Sequence, residues 1–173
     1  MMAYYGIIAL MGYLFGCSNL AFFLGKARGF DIRQYGSNNA GASNATVIMG
    51  LKIGIMVGLH DALKACAAAL LASFLFPALP GAAAVAGASA VLGHIFPFYL
   101  NFQGGKGFAS FIGLILALDW KFFLVILLVV LVITLISDYI VLGTMTTIIS
   151  FPIYLLITHV AMIIIAAVFL IAL

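Results

Sequence analysis

Apolar residues run along the chain in seven stretches, near positions 4–25, 47–76, 81–100, 107–118, 121–137, 139–157 and 158–173, divided by short polar breaks. Most of these runs approach the roughly 20 residues that an α-helix needs to cross the hydrocarbon of a bilayer. The later divisions rest on little, because "DWK" at 119–121 and "SDY" at 137–139 are the only polar breaks in a long hydrophobic stretch. Two interruptions are of a different kind. "GSNNAGASNAT" (36–46) and "NFQGGKGF" (101–108) concentrate glycine, amide and hydroxyl residues between flanks of hydrocarbon. The pattern predicts an all-α integral membrane protein: a compact bundle of about seven transmembrane helices with two Gly-rich loops, forming a single transmembrane domain over residues 1–173.

The few charges give the bundle an orientation. Lys26, Arg28 and Arg33 fall between the first and second runs, whereas "FPALPG", between the second and third, carries no charge. An excess of Lys and Arg marks the cytoplasmic side, so the N-terminus is expected outside and the first connection inside. Two spans later the chain is back on the cytoplasmic side at "NFQGGKGF". Both polar loops therefore face the cytoplasm, and with seven spans the C-terminus does too. The opening run "MMAYYGIIALMGYLFGC" has no basic segment before it. It reads as a first span and not as a cleaved signal peptide.

Composition narrows the function classes. The chain is 67% hydrophobic and 6% charged, with a mean hydropathy of +1.36, which a water-soluble fold could not cover with polar surface. Seven Lys and Arg against four Asp and no Glu leave a net charge of +3, too few basic residues for tracking nucleic acid. Cys17 and Cys66 sit in separate apolar runs without CxxC spacing, which suggests inert thiols, no zinc site and no disulfide framework. Neither HExxH nor paired carboxylates are present, so no metal or other cofactor is expected.

Candidate chemistry lies in the two loops. In "DIRQYGSNNAGASNAT", Gly36 and Gly41 let the backbone approach a ligand, while Ser37, Ser43 and the amides of Asn38, Asn39 and Asn44 offer donors beside the Arg33 guanidinium. A loop of this kind running into a helix start makes an anion cradle, because the first N–H groups of the helix are unpaired and partly positive. The plainer alternative is a solvated turn with a helix N-cap at Ser43 or Asn44. In "GHIFPFYLNFQGGKGFAS", the bend Gly104-Gly105-Lys106-Gly107 gathers backbone N–H groups and one ammonium, which suits a phosphate. It is not a Walker A loop, since Phe108 follows Gly107 where the hydroxyl pattern fails. His94 is a candidate donor or proton-transfer group for the same pocket, or a satisfied interhelical histidine.

Inside the second run, "KIGIMVGLHDALK" places Lys52, His60, Asp61 and Lys64 in hydrocarbon, where such groups face the bundle interior and pair. Asp61 and Lys64, three apart, predict an intrahelical ion pair, and Lys52 a substrate-pocket role. His159 and Thr144, Thr146, Thr147 and Thr158 fit helix–helix hydrogen bonding. Two Gly-rich cationic elements opening on one face predict a site for a phosphorylated molecule. Irregular backbone at membrane depth is tolerated where protein or a water-filled cavity satisfies it.

These residues resemble the bacterial acyl-phosphate:glycerol-3-phosphate acyltransferases of the PlsY type. "GFDIRQYGSNNAGASN" is similar to the family's D-(I/L)-R-x-x-G-S-G-N-x-G-A-T-N block, "GLKIGIMVGLHDALKA" to its G-K-K-x-G…D-x-L-K-G stretch, and "GHIFPFYLNFQGGKGFAS" to its G-H-x-(F/Y)-P-x-(F/Y)-x-x-F-K-G-G-K-G-V-A-(T/S) block. The three blocks keep their order from about residue 6 to 118. The resemblance implies a small seven-helix protein of the bacterial plasma (inner) membrane, monomeric among membrane lipids. It would move a fatty acyl group from acyl phosphate to the 1-hydroxyl of glycerol 3-phosphate, giving lysophosphatidic acid for phospholipid synthesis, without coenzyme A or metal.

From the residues and the resemblance together, Ser37, Lys106 and His94 are expected to carry catalysis. Arg33, Gly36, Asn38, Asn39, Gly41, Ser43, Asn44, Lys52, Gly104, Gly105, Gly107 and Thr144 would bind substrate. Four departures stand out. Val47 occupies the place of an arginine, Asp138 and Val141 replace an arginine and a serine of a later R-Y-V-S-L-A-S block, and the H-R-x-N-I-x-R-L tail is not found before Leu173. They leave open a catalytically weakened paralogue that binds a phosphorylated lipid. A small anion transporter with broken helices is a further alternative.

Overall fold

A computed structural model describes residues 2–158. From residue 159 on, the predicted run 158–173, with His159, lies outside the described residues. Among the described residues eight α-helices follow in order: α1 (Met2–Cys17), α2 (Leu20–Ala27), α3 (Ala42–Met49), α4 (Leu51–Leu75), α5 (Ala82–Ile95), α6 (Phe108–Leu118), α7 (Trp120–Ser137) and α8 (Ile140–Ile157), with 3-10 turns at Ile32–Gln34 and Phe98–Leu100. Among the described residues, five stretches are long and apolar enough to cross a membrane: Met2–Ala27, Leu51–Leu75, Ala82–Leu100, Trp120–Ser137 and Ile140–Ile157. The run near 107–118 folds as α6, whose 11 residues rise only about 16 Å and cannot span hydrocarbon alone. The expected seven spans are thus five plus a short helix within the described part.

Two predicted spans are also broken. The run 4–25 divides at Ser18 and Asn19, where the Asn19 carboxamide accepts the Phe22 N–H at 2.9 Å and donates to the Ala40 carbonyl at 3.2 Å. A buried polar side chain caps α2 and overrides the apolar continuity around it. The run 47–76 divides at Gly50, whose φ of 92° suits glycine. Residues 47–49 therefore end α3, and α4 starts afresh at Leu51.

Small residues set the closest packing. A Cβ on Gly12 would run into the Ala86 carbonyl, and one on Gly16 into that of Ala90, so α1 lies directly against the backbone of α5. Such close approach is how membrane helices gain dispersion contact where no water is expelled. Phe111, Leu114 and Ile115 of α6 pack with Val91 of α5 and Phe151 of α8 to form the largest buried cluster. α7 is peripheral, with Ile126 its one buried residue. Asp119 caps it by accepting the N–H groups of Lys121 and Phe122 at 2.9 and 3.0 Å, and it also accepts the Tyr154 hydroxyl. That hydroxyl first, and the two N–H groups with it, hold the Asp119 carboxyl below the usual carboxylate range.

Candidate functional site

The two Gly-rich loops meet. The Ala40 N–H donates to the Gly104 carbonyl at 3.1 Å, and Arg33 Nη1 donates to the carbonyls of Leu100 at 2.7 Å and Gln103 at 3.3 Å. The other edge of the guanidinium grips Asp31 through Nε and Nη2, at 3.1 and 2.8 Å. That grip holds the Asp31 carboxyl below its usual range and pushes the guanidinium further up. Arg33 is therefore a clamp between the loops, stacked over Phe22.

Asn44 organises the first loop from inside. Its Oδ1 accepts the Ser37 N–H at 2.9 Å, and its Nδ2 lies within 2.8 to 3.1 Å of the carbonyls of Asn39, Tyr35 and Ile32. At 1% exposure this side chain is a structural tie, and neither it nor Ser43 caps the helix. Gly41 is the N-cap of α3, without a side-chain cap bond. Gly36, with φ 60°, sits against the Asn44 carboxamide, and Asn38 is exposed with φ 54°. In the second loop the Gly104 and Gly105 N–H groups donate to the carbonyls of Ile95 and His94 at 2.9 and 3.1 Å. A Cβ at either glycine would strike His94, so these two glycines fold the loop back onto the end of α5.

Between the loops lies a cavity of about 300 Å³. Ser37, Asn39, Gly41 and Ser43 face it from the first loop, Lys106 and Gly107 from the second, and Thr144 from α8. The starts of α3 at Ala42 and of α6 at Phe108 both open on it. Two helix N-termini thus aim unpaired N–H groups and positive dipole ends into one space. Lys106 is exposed there and makes no hydrogen bond or ion pair among the described residues. Asn39 Nδ2 donates to Ser37 Oγ at 2.9 Å, which leaves the Ser37 O–H proton to be donated elsewhere.

Asp61 and His94 close the inner end of the cavity. The expected Asp61–Lys64 pair is present at 3.0 Å, and His94 Nδ1 stands 2.9 Å from Lys64 Nζ. The same Nδ1 lies 3.3 Å from Asp61 Oδ1, so imidazole, ammonium and carboxylate form one buried cluster, while His94 Nε2 faces Gly105. Asp61 Oδ2 is buried with no hydrogen-bond partner among the described residues.

Of the residues singled out from sequence, Ser37, Asn39, Gly41, Ser43, His94, Lys106, Gly107 and Thr144 line the cavity. Arg33, Gly36, Asn38, Asn44, Lys52, Gly104 and Gly105 do not. Lys52 is exposed and nine residues before Asp61, about two and a half turns, which puts it on the opposite side of α4. The Thr144 hydroxyl is spent on the Val141 carbonyl at 2.7 Å. Asp61, Ile140 and Val141 line the cavity without having been chosen as site residues. The signal for Asp61 was a carboxylate in hydrocarbon, which a pairing with Lys64 alone had seemed to explain.

Comparison with known proteins adds to this geometry. A family model described as glycerol-3-phosphate acyltransferase matches residues 6–173. The chain is 38% identical over 155 residues to glycerol-3-phosphate acyltransferase 1 of Oceanobacillus iheyensis, covering 86% of this chain and 75% of that one. It is 36% identical over 146 residues to the enzyme of the same name from Thermoanaerobacter pseudethanolicus, covering 84% and 73%. Among solved structures, it resembles the crystal structure of PlsY, an integral membrane glycerol 3-phosphate acyltransferase, in its glycerol 3-phosphate form. The TM-score is 0.86 at 31% identity, over 97% of this chain and 87% of that one. The lysophosphatidic acid form gives a TM-score of 0.83 over the same shares.

Proposed function

The chain belongs to the glycerol-3-phosphate acyltransferase family, and on that premise we propose how its cavity performs acyl transfer to glycerol 3-phosphate. It is an integral membrane acyltransferase. The donor in this reading is an acyl phosphate and the product lysophosphatidic acid. The observation that carries it is the convergence of the α3 and α6 N-termini and Lys106 on one cavity, an arrangement made for phosphate oxygens.

Both substrates carry phosphate, and the site holds them so that the glycerol 1-hydroxyl meets the mixed-anhydride carbonyl. The hydroxyl oxygen bonds to the carbonyl carbon, the carbon–oxygen bond to phosphate breaks, and the hydroxyl proton ends on the released phosphate. Lys106 and the α6 N-terminus take one phosphate, while Ser37, Ser43 and the α3 N-terminus take the other. The Ser37 O–H stabilises negative charge as it grows on oxygen, with His94 beside it at the inner end of the cavity. The acyl chain fits the adjoining apolar groove of about 240 Å³ between α4, α6 and α7, which shares Phe108 and Ala109 with the cavity. Arg33 and Asn44 shape the loops that present these groups.

The reading places the chain in the bacterial inner membrane as a monomeric single domain, with both loops in the cytoplasm and the N-terminus outside. Purified protein given acyl phosphate and glycerol 3-phosphate should yield lysophosphatidic acid. A yield no higher than that of a Lys106→Ala control would overturn the proposal.

A further inference from the structure

On the far side of Asp61 from the cavity, a second opening of about 620 Å³ lies between α1, α2 and α4. Its apolar lining includes Leu14, Phe15, Met56, Leu59 and Leu63, and its polar lining is Ser18, His60 and Lys64. Those apolar residues are all exposed on the protein, so the groove opens toward the bilayer. Ser18 Oγ lies 3.0 Å from His60 Nε2, and His60 Nδ1 lies 3.4 Å from Asp61 Oδ1. A carboxylate only accepts, so His60 carries its proton on Nδ1, and Nε2 is the acceptor for the Ser18 hydroxyl. A hydroxyl donating to an imidazole that is oriented by a carboxylate is the arrangement of an activated serine.

Ser18 is also held in place. Lys64 Nζ donates to its carbonyl at 2.5 Å, and the next residue, Asn19, caps α2 and is anchored to Ala40. The α2 N-terminus begins two residues after Ser18, so the N–H groups of Leu20 and Ala21 precede any intrahelical carbonyl. Of these, the Leu20 N–H, at the groove, can serve negative charge developing beside the serine. Leu20 lines the groove.

From this geometry we infer that Ser18 is the nucleophile of a second site, which takes the acyl group of a single-chain, long-chain oxygen ester entering from the bilayer. Ser18 Oγ bonds to the ester carbonyl carbon, its proton passes to His60 Nε2, and the carbon–oxygen bond to the leaving alcohol breaks as that proton is handed on. Water then attacks the acyl-serine, His60 takes the water proton and returns it to Ser18 Oγ, and the fatty acid leaves. Neither Ser18 nor His60 belongs to the acyl-transfer cavity, so the two activities separate by mutation.

The test is labelling of the full chain in detergent with hexadecyl fluorophosphonate, with the modified residue located by peptide mass, alongside hydrolysis of p-nitrophenyl palmitate. The adduct should sit on Ser18 and vanish in Ser18→Ala. It should form at least about 100-fold more slowly in His60→Ala, the size of a general-base contribution. Both variants should still acylate glycerol 3-phosphate, which shows them folded, while Lys106→Ala should lose that transfer and keep the adduct. No adduct on Ser18 of the unmodified chain, or a labelling rate indifferent to His60→Ala, overturns the inference. An adduct on Ser18 in a chain that makes no lysophosphatidic acid would sustain it while the proposed transfer reaction failed.

Discussion

Arg33 Nη1 donates to the carbonyl of Leu100 at 2.7 Å across 67 residues of sequence, while Nε and Nη2 grip Asp31. One guanidinium thus couples the two loops that frame the cavity. Lysine keeps the charge and loses the fork. Arg33→Lys should therefore fall about 10-fold or more in kcat/KM for glycerol 3-phosphate, the scale of one charge-assisted hydrogen bond. A variant close to wild type in steady-state kinetics would mean that charge alone matters here.

The same clamp fixes a pH dependence. The Arg33 bond holds the Asp31 carboxyl below its ordinary value of 3.8, so its contribution is fully present above that value and is lost as pH falls through the lower, folded one. Thermal unfolding in detergent from pH 7 to pH 3 should show a constant gap between wild type and Asp31→Asn down to about pH 4. Below that the gap should close. A gap that opens at low pH would reverse the sign and refute the assignment.

Asn44→Ala would remove the acceptor of the Ser37 N–H and the donor shared by the Ile32, Tyr35 and Asn39 carbonyls, at a side chain 1% exposed. Each unsatisfied buried group costs about 1–3 kcal/mol, so the variant should unfold at clearly lower temperature and lose most transfer activity. Ser37→Ala removes only a hydroxyl and should lose activity with little loss of stability. Comparing the two melting curves tests whether Asn44 acts through the loop.

Val47 is 75% exposed and lies one turn beyond Ser43 on the same side of α3. Side chains lean toward the helix N-terminus, so an arginine at 47 would reach back toward the cavity mouth. Val47→Arg should lower KM for glycerol 3-phosphate by roughly 10-fold, as expected of one added charge-assisted bond. An unchanged KM would show that the cavity already has the cations it uses.

Cysteines at Ser43 and Gln103 should react with a membrane-impermeant maleimide from the cytoplasmic side only. Reaction from the outside at either position would overturn the proposed orientation.

Both loops were legible because glycine, amides and lysine stand out against hydrocarbon, and the Asp61–Lys64 pair because i and i+3 share a helix face. What lay hidden was long-range. Arg33 looked like an anion ligand, and only the fold reveals the Leu100 and Gln103 carbonyls that occupy it. His94 joins Lys64 across 30 residues, which no local spacing announces. The break at Asn19 escaped for a related reason: one amide in an apolar run reads as tolerated, until its buried partner at Ala40 makes it a cap.

Phe108 and Ala109 belong at once to the polar cavity and to the apolar groove beside α7. Two side chains are shared by a cavity that holds Lys106 and Ser37 and a groove lined by apolar residues. In the proposed reaction, the donor's phosphate is drawn in from water while its tail never leaves the hydrocarbon. The product can then leave sideways into the leaflet, so turnover should depend on bilayer fluidity as much as on the affinity of the site.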